Sequence, residues 1–137
     1  MTAQHRILIV EDDYFQSHVL KVMLTKLNYN VVGVARSGES AITMAIDLKP
    51  HLVMMDISLK GEMDGIEAAK KMSAIADHIA LIFVSGYTDE SHRNRMEQTE
   101  YDSFLSKPIN REILSEALEN SFSKIAYRIS QNGMINM

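Results

Sequence analysis

The strongest constraint on the fold is a set of five short apolar runs, each separated from the next by a segment with helical spacing. The runs are Ile7–Val10, Val31–Val34, Leu52–Met55, Leu81–Val84 and a weaker one at Ser103–Leu105. Four of them are continuously apolar rather than alternating, which is typical of strands covered on both faces of a parallel sheet. The repeated strand–helix order therefore predicts an α/β fold.

The number of strands narrows the topology further. Right-handed crossovers and five strands favour a flavodoxin-like three-layer sandwich, a five-stranded parallel sheet in the order 2-1-3-4-5 with five helices. In that order a ligand crevice opens where the first and third strands diverge, beyond their C-terminal ends. We expect the chemistry of the protein at that edge.

The helical segments differ in character. In the first, the apolar residues predicted to face the sheet are Phe15, Val19, Val22, Met23 and Leu27, with Ser17 turned away. The second ends near Lys49, because Pro50 disfavours a helical residue before it. The fourth, Thr88 to Thr99, is almost entirely polar around Met96, which predicts a marginal, mobile helix. Two interpretations stay open for it, a solvated surface helix or a surface kept loose for switching.

Length and composition limit the classes of function. The 137 residues suit one domain, predicted at 1–128, with a short frayed tail at 129–137. A net charge of −4 argues against direct nucleic-acid binding, and the absence of cysteine excludes disulfides and a thiol nucleophile. The polar start before Ile7 is too short for a signal peptide and no apolar run could span a bilayer. A cytoplasmic protein without membrane insertion is the prediction.

Carboxylates collect at the predicted crevice. The first strand ends in Glu11, Asp12 and Asp13, and the third ends in Asp56. Asp13 is placed to cap the helix that follows. Two carboxylates about 4 Å apart repel by about 4 kcal/mol at an effective dielectric near 20. Such a cluster needs a counter-ion, and its hard oxygen ligands suit Mg²⁺.

Two more strand ends add a hydroxyl and a cation. The fourth strand ends in Ser85 and Gly86, and the fifth ends in Lys107 and Pro108. Either residue alone would be an ordinary turn or surface residue. Together with the carboxylates they form a site that could hold Mg²⁺ and a phosphoryl group at once.

With these residues at its strand ends, the chain resembles the receiver domain of two-component response regulators. The resemblance covers roughly Arg6 to Tyr127. The segments that carry it, in family-like order and spacing, are Ile7–Asp13, Leu52–Ile57, Asp64–Gly65, Leu81–Gly86 and Phe104–Pro108.

The resemblance implies a metal site and a phosphate acceptor. Asp56 matches the aspartate that becomes an aspartyl phosphate. Asp12 matches a direct ligand of Mg²⁺ or Mn²⁺ and Glu11 a ligand through water. Asp56 and the backbone carbonyl of Ser58 match the remaining protein ligands.

The resemblance also implies the parts of a switch. Lys107 matches the lysine that contacts the phosphoryl oxygens, in front of a cis Lys107–Pro108 bond. Ser85 matches the switch hydroxyl and Phe104 the aromatic residue that changes rotamer. Tyr87 stands where a side chain can shield the phosphoryl group from water, which predicts slowed self-dephosphorylation.

The function implied is that of a signalling switch. Its catalysis would be limited to its own phosphorylation and slow dephosphorylation. The phosphodonor would be a sensor histidine kinase or a phosphotransfer protein. Since no DNA-binding segment follows, output would run through a protein partner or a phosphorylation-linked homodimer, or the chain is the receiver segment of a hybrid sensor kinase.

One loop departs from the family pattern. Between Ser58 and Met63 the loop has one extra residue, with Lys60 where proline is common.

Three alternative functions are disfavoured by the sequence. A phosphatase of the haloacid dehalogenase type would usually require an aspartate in place of Ser58, and flavin binding would require a Ser/Thr/Gly-rich loop after the first strand. A degenerate receiver, binding partners without phosphorylation, is disfavoured by the complete set of Asp12, Asp56, Ser85 and Lys107.

Overall fold

The structure is a computed structural model that describes residues 4–76, 78–86 and 89–135. Its strands are β1 Arg6–Val10, β2 Asn30–Ala35, β3 Leu52–Asp56, β4 Ala80–Ser85 and β5 Ser103–Ser106. Its helices are α1 Tyr14–Lys26, α2 Gly38–Leu48, α3 Gly65–Ile75, α4 Glu90–Glu97 and α5 Arg111–Ile135. Strand and helix alternate throughout, as the apolar runs predicted.

All strands pair in parallel in the order β2-β1-β3-β4-β5, which confirms the predicted topology. Strands β3 and β4 are buried along their whole length. Their side chains alternate between two core clusters, with Val53 and Met55 in one and Met54 in the other. Helices α2, α3 and α4 contribute to the first cluster and α1 and α5 to the second. Burial on both faces explains why these runs are continuously apolar.

The predicted apolar face of α1 was wrong. The buried residues of this helix are Ser17, Leu20 and Leu24. Of the residues expected to face the sheet, Phe15 is 75% exposed, Val19 40% and Val22 38%, while Met23 and Leu27 are partly buried. Ser17 can be buried because its hydroxyl donates to the Tyr14 carbonyl at 3.0 Å and accepts from Arg36 at 2.7 Å. The helix has apolar residues on both sides, so its spacing alone left the face undecided.

Helix ends follow their local chemistry. The Asp13 side chain accepts the backbone N–H of Gln16 at 2.8 Å, which confirms it as the N-cap of α1. Lys49 adopts a left-handed conformation (φ 48°) and ends α2 before Pro50. Helix α4 is shorter than the predicted Thr88–Thr99 segment, and its one buried residue is Met96. Thr88 lies outside the described residues.

The C-terminal helix is longer than expected. The sequence predicted a frayed tail from Ile129, but α5 continues to Ile135. No proline interrupts the segment, and a single glycine such as Gly133 costs a helix only about 1 kcal/mol. Within the described ranges, no helix is both long and apolar enough to cross a membrane. The domain boundary at residue 128 stays a prediction.

Candidate functional site

Three carboxylates meet where β1 and β3 end. Glu11, Asp12 and Asp56, here called the acidic cluster, each offer an oxygen within 4.8 Å of the others. Glu11 and Asp56 are each only 5% exposed, and Asp12 is half-buried. The convergence predicted from the strand ends is therefore present. Its cause is the sheet order, since β1 and β3 are direct neighbours whose C-terminal ends share one edge.

Lys107 supplies the positive charge at this cluster. Its Nζ lies 2.7 Å from Glu11 Oε1 and 3.1 Å from Asp56 Oδ2. The backbone N–H of Lys107 donates to the carbonyl of Ser85 at 3.0 Å, and the Lys107–Pro108 peptide bond is cis. One ammonium thus bridges the ends of β1 and β3 while its backbone is fixed to β4.

The cluster perturbs the titration of both partners. Burial raises the pKa of Glu11 to about 7; the hydrogen bond from Lys107 opposes this, and the nearby Asp56 adds to it. Burial alone would lower the pKa of Lys107, but its hydrogen bond to Glu11 and the charge of Asp56 outweigh burial, so that its pKa is raised. Lys107 therefore stays protonated, and the site still carries more carboxylates than cations.

The loop after Asp56 reaches back over the cluster. The backbone N–H of Ser58 donates to Asp56 Oδ1 at 3.0 Å, and that of Lys60 donates to Asp12 Oδ2 at 2.9 Å. The loop is anchored by the buried Leu59 and Met63 and turns at Gly61, which has a φ of 104°. The contact from Lys60 was missed by the sequence analysis. The available signal was the departure from proline, because a proline has no N–H to donate.

The Asp64–Gly65 turn packs directly on the peptide of Asp56. A Cβ added at Gly65 would lie 2.0 Å from the Asp56 carbonyl oxygen, so only glycine fits there. Gly65 also donates its N–H to the carbonyl of Ile57 at 3.0 Å. The Asp64 side chain caps α3 through the N–H of Glu67, which explains why an aspartate stands at this position.

Asp64 is also joined to α4. Arg95 places Nη1 2.6 Å from Asp64 Oδ2 and Nη2 2.8 Å from Asp64 Oδ1, a bidentate pair. Burial would raise the pKa of Asp64, but the hydrogen bonds and charge of Arg95 lower it. The role of Arg95 was not predicted from the sequence. Nothing in a polar helix marks which of its cations reaches a particular carboxylate.

The predicted switch residues lie on β4 and β5. Ser85 is 1% exposed at the end of β4, at the same sheet edge as Lys107. Phe104 is half-buried on β5 opposite Phe83, and it borders a cavity of about 330 Å³ beside α4. Tyr87 lies outside the described residues, so its shielding role stays a prediction.

The donor set suits a small divalent cation. Three carboxylates provide hard oxygen ligands, and the half-buried Asp12 keeps one side open to solvent. Lys107 offsets only part of their charge. The acidic cluster is therefore compatible with Mg²⁺ or Mn²⁺.

The sequence signature of the response regulator receiver domain matches residues 7–119. The chain belongs to this family. The receiver is 34% identical to the chemotaxis protein CheY of Thermotoga maritima over 119 residues, which is 87% of this chain and 98% of that protein. It is 27% identical to the response regulator protein VraR of Staphylococcus saprophyticus, covering 86% of this chain but 56% of that longer protein.

Solved structures agree with the fold of the receiver. One is the signal receiver domain of a modulated diguanylate cyclase from Desulfovibrio desulfuricans. It superposes with a TM-score of 0.85 at 30% identity, covering 92% of this chain and 99% of that one. A role in two-component signalling follows from the family, whereas the roles of individual residues depend on the geometry described above.

Proposed function

We propose that this receiver accepts a phosphoryl group on Asp56, in a reaction that depends on a divalent cation at the acidic cluster. The observation that carries the proposal is the position of Lys107, whose ammonium touches both Asp56 and Glu11. An ammonium beside the acceptor can neutralise charge on the phosphoryl oxygens, and phosphoryl transfer depends mostly on positioning and such neutralisation.

The reaction balances without any oxidant or further reactant. A carboxylate oxygen of Asp56 forms a bond to phosphorus in line with the leaving group. The P–N bond of a phosphohistidine breaks, or the P–O bond of an acyl phosphate, and the leaving group departs with the electron pair. The product is an acyl phosphate on Asp56.

Residues of the acidic cluster would hold the cation. We assign Asp12 and Asp56 as direct ligands, Glu11 as a ligand through water, and the carbonyl of Ser58 as a further ligand. Bound Mg²⁺ or Mn²⁺ would supply charge neutralisation at the phosphoryl oxygens. The Lys60 N–H, 2.9 Å from Asp12, holds the Asp12 carboxylate in orientation.

Phosphorylation would then shift a two-state surface. The group brings close to two negative charges and several hydrogen-bond acceptors. Ser85 can donate to one of its oxygens and draw its loop inward, and Phe104 can turn into the space released. A shift from 1:99 to 99:1 requires about 5.5 kcal/mol of differential interaction. The face that changes is formed by α4 and β5, through which a downstream partner would read the state.

A protein phosphodonor fits the surroundings of the acceptor. An open groove of about 440 Å³ adjoins Asp56 and is lined largely by apolar residues of α1 and of the segment after β5, including Phe15, Val19, Pro108 and Ile109. Exposed apolar surface beside a reactive group is typical of a protein–protein contact. This supports a sensor histidine kinase or phosphotransfer protein as the donor.

The decisive test is intact mass after incubation with acetyl phosphate and Mg²⁺. We expect the mass to increase by one phosphoryl group, to need the cation, and to stay unchanged in Asp56→Asn. Asp13→Asn serves as the matched control, because Asp13 is exposed and can still cap α1 as asparagine. No gain of mass with acetyl phosphate and several other phosphodonors would instead support a degenerate receiver.

A further inference from the structure

We propose that Arg36 is a positioning residue that holds the loop from Glu11 to Asp13, and thereby preorganises the acidic cluster for its divalent cation. The inference rests on the proposed function in one respect only, namely that the cluster binds a cation. Arg36 directly follows β2 and belongs to none of the segments that mark the family.

The contacts of Arg36 converge on the loop that carries two of the three carboxylates. Its Nη1 lies 3.2 Å from the carbonyl oxygen of Glu11 and 3.5 Å from that of Asp13. These are the residues on either side of Asp12. Since their carbonyls are drawn toward β2, the intervening peptides have little freedom to rotate.

The same guanidinium also fixes the start of α1. Nη1 donates to the Ser17 hydroxyl at 2.7 Å, the shortest of its three contacts, and Ser17 is only 2% exposed. The Arg36 Cζ lies 4.0 Å from the centre of the Tyr14 ring, in the geometry of a cation–π contact. Tyr14 is 75% exposed, so this ring covers Arg36 from the solvent side. The loop is thus held to β2 at both of its ends.

The backbone joins the loop to the same strand. The N–H of Glu11 donates to the carbonyl of Ala35 at 3.0 Å, which extends the ladder between β1 and β2 by one step. Beyond this bond the loop leaves the sheet, and the side chain of Arg36 holds it in place of the sheet hydrogen bonds. The hydrogen bonds of Arg36 go to carbonyl and hydroxyl oxygens. Its role is therefore to place the carboxylates rather than to neutralise them, which Lys107 does.

An arginine suits this role better than a lysine would. The planar guanidinium can reach several acceptors while stacking on an aromatic ring, whereas an ammonium is a compact point charge. Groups that orient metal ligands from outside the coordination shell typically contribute about 10- to 100-fold to metal affinity. The geometry hence predicts that Arg36→Lys fails to replace the arginine although the charge is kept.

The test measures Mn²⁺ binding by titration calorimetry and amide hydrogen exchange in the cation-free protein. For Arg36→Met and Arg36→Lys we expect affinity for Mn²⁺ to fall about tenfold and the amides from Asp12 to Ser17 to exchange faster. Ser17→Ala removes one hydrogen bond of Arg36 and keeps the guanidinium. It should produce smaller changes in Mn²⁺ affinity and in amide exchange. Arg111→Met is the matched control, since Arg111 is exposed and far along the chain from this loop.

Each outcome bears on the proposal. Unchanged Mn²⁺ affinity and amide exchange in both Arg36 variants would overturn the proposal. Full Mn²⁺ affinity in Arg36→Lys beside weakened affinity in Arg36→Met would also overturn it, because the positive charge alone would then suffice. If the amides of every strand exchanged faster in Arg36→Met, that variant would be destabilised as a whole. Arg36→Lys and Ser17→Ala would then test the local role of Arg36. If the unsubstituted protein bound no Mn²⁺, the proposed function would fail, while the exchange of the cation-free loop would still test Arg36.

Discussion

At the scale of single residues, the site is organised by competition for a few carboxylate oxygens. Lys107 contacts Glu11 and Asp56, Lys60 donates its N–H to Asp12, and Ser58 donates to Asp56. Every carboxylate of the acidic cluster therefore already has a donor. A divalent cation would have to share these oxygens with Lys107, whereas the negative charge of a phosphoryl group on Asp56 would be stabilised by the ammonium of Lys107.

This competition predicts opposite effects on binding and on transfer when Lys107 is removed. Lys107→Met should bind Mg²⁺ at least as tightly as the unsubstituted protein, because no ammonium occupies Glu11 and Asp56. Its rate of phosphorylation by acetyl phosphate should fall about 100-fold, the usual cost of losing one charge-stabilising group. Calorimetry and a time course of intact mass measure the two effects. Lys124→Met, an exposed control, should change neither; a normal rate in Lys107→Met would contradict the assigned role.

A second residue-scale prediction concerns His51, at the opposite edge of the sheet. Its Nδ1 accepts the backbone N–H of Arg6 at 2.9 Å, which requires the neutral ring. Burial lowers the pKa of His51 from 6.5, and the nearby Arg6 and His5 add to this. The unfolded chain then binds more protons, so stability rises with pH. The contribution of neutral His51 to the free energy of unfolding is complete above pH 6.5 and is lost as the pH falls through the lowered pKa.

Urea unfolding at a series of pH values measures this dependence. We expect the free energy of unfolding to fall as the pH drops below 6.5. The fall should be smaller in His51→Gln, whose amide oxygen can accept the same N–H without titrating. His18→Gln, on the exposed side of α1, is the control and should keep the full dependence. An equal slope in all three proteins would show that His51 does not contribute.

At the scale of elements, α4 is held by polar contacts more than by burial. Met96 is its one buried side chain. Arg95 joins the helix to the carboxylate of Asp64, the residue before Gly65, which packs on the peptide of Asp56. The sequence left open whether this helix is a bland surface or a loose one. The ion pair with Asp64 fixes the position of the helix in addition to the burial of Met96.

Removing this tie should loosen α4 with little cost to the whole domain. In Arg95→Met we expect amides from Glu90 to Glu97 to exchange about tenfold faster, which corresponds to local stability of about 1.4 kcal/mol. Global stability should change by about 1 kcal/mol or less, as for other solvent-accessible ion pairs. Arg93→Met, an exposed change in the same helix, is the control. Equal exchange in both variants would mean that the pair with Asp64 does not hold the helix.

At the scale of the whole molecule, the fold is a sheet covered on both faces, and α5 completes one of them. Among the residues of α5 whose side chains the structure describes, those that enter the core are Leu114, Ala117, Leu118 and Phe122, with Ile125 partly buried. Tyr127 is 66% exposed. Ile125 is therefore the last residue in this set that packs on the core, and the helix continues to Ile135.

The sequence predicts a domain boundary at residue 128, so a chain that ends at Arg128 should fold as well as the full one. We expect free energies of unfolding in urea to agree within about 0.5 kcal/mol, the usual range for changes outside a core. A chain ending at Ser121 is the control, because loss of Phe122 removes a buried aromatic side chain worth about 3 kcal/mol or more. A large loss in the longer truncation would place the domain boundary beyond residue 128.

The sequence by itself determined the strands, their order and the edge at which Asp12, Asp56, Ser85 and Lys107 meet. Those features depend on patterns that a linear chain carries: continuous apolar runs, polar residues that end strands, and a proline or cap at helix ends. The buried face of α1 and the full length of α5 could not be predicted from the sequence, because the orientation and extent of a weakly amphipathic helix depend on what packs against it. Contacts from Arg36, Lys60 and Arg95 likewise depend on loops and helices brought together from distant parts of the chain.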